Sequence, residues 1–220
     1  MVSRIEHSAE GITGLEQARE YGEKHRRYAG LMYRPVLKAL QRLDLPGRYL
    51  EIGAGPGFLA AMIAEKYPKV SIATIDISPD MVGLADAYVK EKGIQGRVRS
   101  LVGDVGDRAF LESLGKFDLV YSTFSVHHWK DPELSMANVR TAVRDGGVTY
   151  LYDLNRVWWL RWLGLLPFVG RMLRQFDAAY SSSEMRTLLE KAGARDFEIR
   201  KHYAGLMQSV VIRSSVTDTP

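Results

Sequence analysis

The sequence predicts one α/β domain on a mostly parallel sheet, with helices on both faces and a C-terminal antiparallel hairpin. Three observations predict it. Short apolar or β-branched runs alternate with stretches of helical spacing from residue 48 to residue 153. Several of these runs end in an acid or a glycine, as strands that turn into helices do. Near the end, Asp196 to Tyr203 and Leu206 to Arg213 are separated only by Ala204-Gly205, and two strands that close together must be antiparallel.

The elements follow in order. A helical stretch before the first strand carries Tyr21, Tyr28 and Tyr33 with His25, Arg26 and Arg27. A short apolar run reaches Glu51, and after Gly57 the apolar Leu59, Met62, Ile63 and Tyr67 are spaced as on a helix that Pro68 closes. Val70 to Ile75 reads as a buried strand ending at Asp76. Ser78-Pro79 starts the next helix, as N-cap and first helical residue, and Met81, Val82, Leu84 and Ala85 continue it. Val98 to Val102 and Phe117 to Ser122 are the next strands, ending at Gly103-Asp104 and Thr123-Phe124. Leu134, Ala137, Val139 and Ala142 mark a helix, and Asp145-Gly146-Gly147 is expected to turn the chain into a strand over Val148 to Tyr152. Ser181 to Ala192 is helical, capped by Ser181, Ser182 or Ser183 and stopped by Gly193.

Composition narrows the function. The chain has 220 residues, 46% hydrophobic and 25% charged, which suits one globular domain with a sizeable core. Cysteine is absent, which excludes disulfides, thiolate metal sites and a cysteine nucleophile. The five histidines lack metal-ligand spacing, so no metal is expected. The first residues have no apolar signal core and no run is long enough to span a bilayer, so the expectation is a cytoplasmic protein. Outside residues 156–176 the basic residues are few and scattered, which argues against nucleic acid as partner.

The chemistry starts at Tyr49 to Ala60. Glu51 is followed by Gly53, Gly55 and Gly57, and a helix begins at once. Glycine permits positive φ and keeps side chains away from a ligand, and such a turn is expected to offer free N–H groups. The pattern E-x-G-x-G-x-G departs from the dinucleotide fingerprint G-x-G-x-x-G. Three strand ends carry an acid, Glu51, Asp76 and Asp104, on the rim where open α/β sheets bind ligands. Asp76 lies nineteen residues after Gly57, where a carboxylate can accept both hydroxyls of a ribose. Nicotinamide-binding folds share that feature.

Residues 48 to 153 resemble the class I S-adenosylmethionine (SAM) methyltransferases in the order and spacing of these motifs. Phe117 to Ser122, His127-His128-Trp129 and Arg144 to Gly147 are similar to the family's later motifs. The His-His pair is similar to that of the small-molecule group that includes the quinone C-methyltransferases. The resemblance implies a Rossmann-like, seven-stranded sheet with the last strand reversed. It implies SAM as cofactor, held at its methionine end by Glu51, Gly53, Gly55 and Gly57. It implies ribose on Asp76, adenine against Ile77 or Met81, and the adenine amine near Gly103, Asp104 and Val105. Ser122, Thr123 and Phe124 would line the methionine and acceptor side. The N-terminal helices, residues 1–46, would fold over the site as a lid and bring Tyr21 or Tyr33 to it, leaving 47–213 as the SAM-binding domain and 214–220 as a frayed tail.

Methyl transfer needs an aligned acceptor, a dry site and, for a protonated acceptor, a base. His127 and His128 follow the fourth strand and Asp153 the fifth, so these are the candidate proton-accepting or acceptor-orienting groups. An alternative reading keeps His127 on a backbone carbonyl and His128 packed on the helix. Residues 156–176 hold three tryptophans, four arginines and no acid, with Pro167 between two helical halves. Three readings stand open for this insert: a cap on an apolar acceptor pocket, a homodimer contact, or a peripheral contact with an anionic membrane. The overall expectation is a methyltransferase for a small, aromatic or lipophilic acceptor. The rival readings are a non-catalytic SAM- or nucleoside-binding sensor or scaffold, and an NAD-dependent oxidoreductase.

Overall fold

The computed structural model describes residue 12, residues 14–157 and residues 176–214. Five strands run parallel: β1 (Arg48–Ile52), β2 (Ser71–Asp76), β3 (Val98–Val102), β4 (Phe117–Thr123) and β5 (Val143–Leu154). β6 (Phe197–His202) and β7 (Met207–Arg213) form the closing hairpin, and β7 inserts antiparallel between β5 and β6. The sheet order is β3-β2-β1-β4-β5-β7-β6. The order reverses between β1 and β4, and the carboxyl ends of the strands at such a point are where open α/β sheets bind ligands.

The helices are α1 (Leu15–Met32), α2 (Arg34–Leu43), α3 (Phe58–Lys66), α4 (Pro79–Glu91), α5 (Arg108–Ser113), α6 (Pro132–Ala142) and α7 (Ser182–Lys191). Strand alternation sorts side chains into two cores. Tyr49, Leu119, Tyr121, Val148 and Tyr150 pack with Val36, Leu40, Leu59 and Ile63 on one face. Leu50, Val120 and Leu151 pack with Met136, Val139, Leu188 and Leu189 on the other. Each fully buried side chain of this size contributes about 1.5–3 kcal/mol, so both faces hold the sheet firmly.

Three local features differ from the expectations. The N-terminal helical stretch is two helices that meet at Tyr33, and α2 buries Val36 and Leu40 completely or nearly so. α2 is therefore part of the core layer, while α1 lies outside it. α5 was not expected, because six residues with one buried position, Leu111, show no period; its sequence mark is the N-cap Asp107, whose Oδ1 accepts the Phe110 N–H at 3.0 Å. Asp145-Gly146-Gly147 is not a turn before the fifth strand but an irregular part of β5. Pairing slips from Phe117–Val143 to Leu119–Val148, and Gly146, at φ 72°, donates its N–H to the Ser214 carbonyl at 3.1 Å. Extra residues absorbed this way form a bulge. Among the described residues no helix is long and apolar enough to cross a membrane.

Candidate active site

β1 ends at Ile52, and Gly53, Gly55 and Gly57 take φ of 68°, 51° and 73° to swing the chain into α3. A side chain on Gly53 would collide with the Ser125 hydroxyl, and one on Gly57 would come within 3.0 Å of Ala85 on α4. The space beside Gly55 is open. The turn does not offer the free donors expected of it. Gly53 and Ala54 donate to the Ile75 carbonyl at 2.9 and 3.2 Å, Gly55 donates to Asp76 Oδ2 at 2.8 Å, and Gly57 donates to the Ala54 carbonyl at 3.0 Å. A tight turn must satisfy its own amides. What it gives a ligand is close approach at Gly55.

Glu51 lies beneath this turn with 1% of its surface exposed. The Tyr121 hydroxyl, on the neighbouring strand β4, donates to its Oε2 at 3.1 Å. Burial, opposed by hydrogen bonds from Tyr121 and the Ala60 N–H, pushes its carboxyl up to about 8.

Asp76 ends β2 half-buried. Its Oδ2 accepts from Gly55 and its Oδ1 from the Ser78 N–H at 3.0 Å. The Ile77 N–H bonds it as well. A carboxylate has about four acceptor positions, so about one remains for a ligand hydroxyl. Burial raises its pKa above the usual carboxylate range. Of the two apolar candidates beyond it, Ile77 is 47% exposed while Met81 is buried at 3%. At the end of β3, Asp104 is exposed and its Oδ1 accepts the Gly106 N–H at 2.7 Å, an Asx-type turn within its own loop. Gly103 is a packing glycine, since a side chain there would strike the Phe110 ring. The Val105 side chain belongs to the core, and its carbonyl accepts from Asn138.

The end of β4 is the most constrained part of the rim. Thr123 is buried opposite Tyr152, and the Ser122 hydroxyl donates to the Ile52 carbonyl at 3.0 Å. Phe124 sits in the left-handed region at φ 55°. A bulky residue held there costs about 1–3 kcal/mol, and such strain gathers at functional sites. The conformation is locked by the Phe124 N–H on the Tyr152 carbonyl at 2.9 Å. It sets the Phe124 ring edge-on to Tyr152 at 5.6 Å and 6.3 Å from Tyr33. Three residues on, His127 Nδ1 meets Asp153 Oδ1 at 2.7 Å, and the His127 N–H donates to Asp153 Oδ2 at 3.2 Å. Both side chains are 3% exposed. The imidazole is thus paired with a carboxylate rather than with a backbone carbonyl. A carboxylate beside Nδ1 favours the tautomer with its proton on that nitrogen and orients the ring. His128 is exposed, its ring 4.0 Å from that of His127.

α1 runs along the near side of this rim. Gly22 is buried with Pro56 of the turn and Leu84 of α4 around its α-carbon, so a bare helix face approaches the glycine loop. The Ser78 hydroxyl donates to the Ile12 carbonyl at 2.6 Å, Asp80 accepts the Gly14 N–H at 2.9 Å, and Arg26 pairs with Glu91 at 2.5 Å. Tyr21 is pushed up to about 12 by burial and then by the charge of Asp76. Tyr33 is raised by burial, then by Glu51 and by Tyr21. Both tyrosines therefore face the two acids.

The residues present fit an adenosyl-sulfonium ligand: open space at Gly55, a spare acceptor position on Asp76, an exposed Ile77, and a buried acid that lacks a cation. Tyr121 was missed as a positioning residue. It acts across strands, so no local pattern marks it. Within the insert, residues 158–175 lie outside the described residues, and the three readings of it stand as they were. Residues 1–11, 13 and 215–220 lie outside as well, including most of the expected tail. Among the described residues no group of three or more His, Asp or Glu side chains is placed to hold a metal.

Known proteins resemble this chain. A family model described as a methyltransferase domain matches residues 23–199. The ubiquinone biosynthesis O-methyltransferase of Xanthomonas euvesicatoria pv. vesicatoria is 34% identical over 116 residues, 52% of this chain and 46% of that protein. The ribosomal RNA small subunit methyltransferase C of Cronobacter sakazakii is 32% identical over 100 residues, 44% of this chain and 28% of that protein. The chain thus spans less than half the length of these curated relatives. Human N-acetylserotonin methyltransferase, solved in complex with SAM, superposes with a TM-score of 0.69 at 18% identity, over 92% of this chain and 57% of that one. At that identity the likeness is one of fold, and it is the family model, spanning most of the sequence, that shows membership. The chain belongs to the methyltransferase-domain family of the class I, SAM-dependent type.

Proposed function

We propose that this protein transfers a methyl group from SAM to a small aromatic or lipophilic acceptor, with His127 taking the proton that the acceptor loses. SAM supplies a methyl group already activated by the positive charge on sulfur. The protein's own residues then have to bind, orient, exclude water and accept a proton. Glu51, Gly55, Asp76 and Ile77 are assigned to the donor side, with Tyr21 of α1 and Tyr33 at the α1–α2 junction covering it. Phe124, Tyr152 and Tyr33 are assigned to the acceptor side as an aromatic wall.

The observation that carries this reading is the buried His127–Asp153 pair beside Phe124, one strand away from Glu51 and the glycine turn. A base held by a carboxylate has a use where an acceptor must be deprotonated, and an aromatic wall suits a planar or apolar acceptor. The O-methyltransferase among the relatives, named for ubiquinone biosynthesis, is consistent with such an acceptor.

Calorimetry with SAM, S-adenosylhomocysteine and NAD tests the donor assignment. Binding of the two adenosyl compounds without NAD is the expected result; NAD binding with no response to SAM would remove the reading. Transfer of label from methyl-labelled SAM to fractionated small metabolites tests the acceptor assignment. Labelling of RNA instead would replace the small acceptor by a nucleic acid, and tight SAM binding with no transfer would favour the sensor reading.

A further inference from the structure

The strongest unexplained feature is the electrostatic isolation of Glu51. It lies in the middle of the sheet, with Thr74 of β2 on one side and Tyr121 of β4 on the other. The groups that face it come from every element around it. β4 contributes the Tyr121 hydroxyl, β2 contributes Asp76, α3 contributes the Ala60 N–H, and the α1–α2 junction contributes Tyr33 with Tyr21 behind it. Every one is a neutral donor or a second acid. Among the described residues no Lys, Arg or His pairs with it. The other deeply buried acids are arranged differently: Asp153 has His127 at 2.7 Å and Asp118 has Arg144 at 2.5 Å. A carboxylate withdrawn from water with no counter-charge prefers its neutral form.

We propose that Glu51 carries a proton in the ligand-free protein and gives it up to solvent when the ammonium group of an amino-acid-bearing adenosyl ligand docks beside it. The balance is simple: Glu51–COOH and ligand R–NH3+ become the pair Glu51–COO⁻ and R–NH3+, and one H+ leaves to buffer. This rests on the SAM reading above and adds a consequence that reading does not require. An ammonium-bearing ligand supplies the missing cation there, and a neutral thioether nucleoside does not. The direction of the Glu51 shift, upward through burial, agrees with the geometry.

Calorimetry of the full chain at about pH 6.5, in buffers of low and high ionisation enthalpy, counts the protons exchanged. Two ligands are used: S-adenosylhomocysteine, which has the ammonium, and 5′-methylthioadenosine, which lacks it. An α-amino group titrates near 7.7–8.0, so the first ligand is still cationic at that pH. The expected result is release of close to one proton with S-adenosylhomocysteine and none with 5′-methylthioadenosine. Its affinity is also expected to rise toward tenfold per pH unit between about pH 6 and 7. Glu51→Gln is expected to abolish both the release and that slope. If this variant does not fold, the comparison of the two ligands on the wild-type protein decides alone. A binding enthalpy independent of buffer, or equal release with both ligands, overturns the proposal and leaves the adenosyl site standing. Absence of binding by either ligand overturns both.

Discussion

Glu51 and Asp153 are the same kind of group in the same kind of place, a carboxylate buried at the carboxyl end of a parallel strand, yet their surroundings are opposite. Asp153 is fully engaged by its own chain: the His127 ring, the His127 N–H and the Leu154 N–H at 2.7 Å all donate to it. Glu51 has hydroxyl and amide donors but no cation. A buried charge completed inside the protein is a fixture that orients something else, here an imidazole. One left incomplete is a receptor for charge from outside. In the proposed mechanism the two strand ends divide the rim into a half that holds a reactive group in place and a half that receives a counter-ion.

Four substitutions can break or sharpen that division. The largest expected effect is on the completed side. His127→Ala should lower turnover by roughly 10²–10⁴-fold while changing SAM affinity far less, measured by single-turnover transfer and calorimetry. Equal turnover in the variant would return the pair to a structural role. On the incomplete side the effect is on stability. The folded protein holds the Glu51 carboxyl at about 8, above its ordinary value of 4.5, so between those values it binds a proton that the unfolded chain releases. Stability must therefore fall as pH rises through that window, by about 1.4 kcal/mol per unit at most. Urea unfolding should show wild type losing roughly 2–3 kcal/mol relative to Glu51→Gln between pH 5.5 and 7.5. A constant gap would mean that Glu51 is ionised in the folded state.

Asp76 is less buried than either acid, and its partners are backbone amides. Asp76→Ala should weaken SAM binding by about 1–3 kcal/mol through lost charge-assisted bonds, and unchanged affinity would show that the sugar lies elsewhere. The smallest effect serves as a reference outside both halves. Ser181 caps α7 in a reciprocal capping box with Glu184. Ser181→Ala should cost about 1 kcal/mol in thermal unfolding and leave SAM affinity alone. A matching loss of affinity would mean that the halves are coupled through α7.

Much of this was legible in the chain because it is local. The glycine turn, the Ser78-Pro79 helix start, the acids at strand ends and the short link of the final hairpin are each written within a few residues. Their order along the chain was enough for the resemblance to be seen. Features that depend on two distant segments were not legible. The slip that draws Asp145 to Gly147 into β5 depends on how β4 and Ser214 pair with it. The engagement of the turn's N–H groups depends on the Ile75 carbonyl and the Asp76 carboxylate. The choice between Ile77 and Met81 as the exposed residue depends on which side of α4 meets the core.

The sequence by itself determined the fold class, the place of the rim and the identity of its acids, because hydrophobic period and backbone conformation are set by near neighbours. Only the tertiary structure decided what those acids are. The free energy of a buried charge depends on what lies within a few ångströms in space, and His127 reaches Asp153 across 26 positions while no cation reaches Glu51 at all among the described residues.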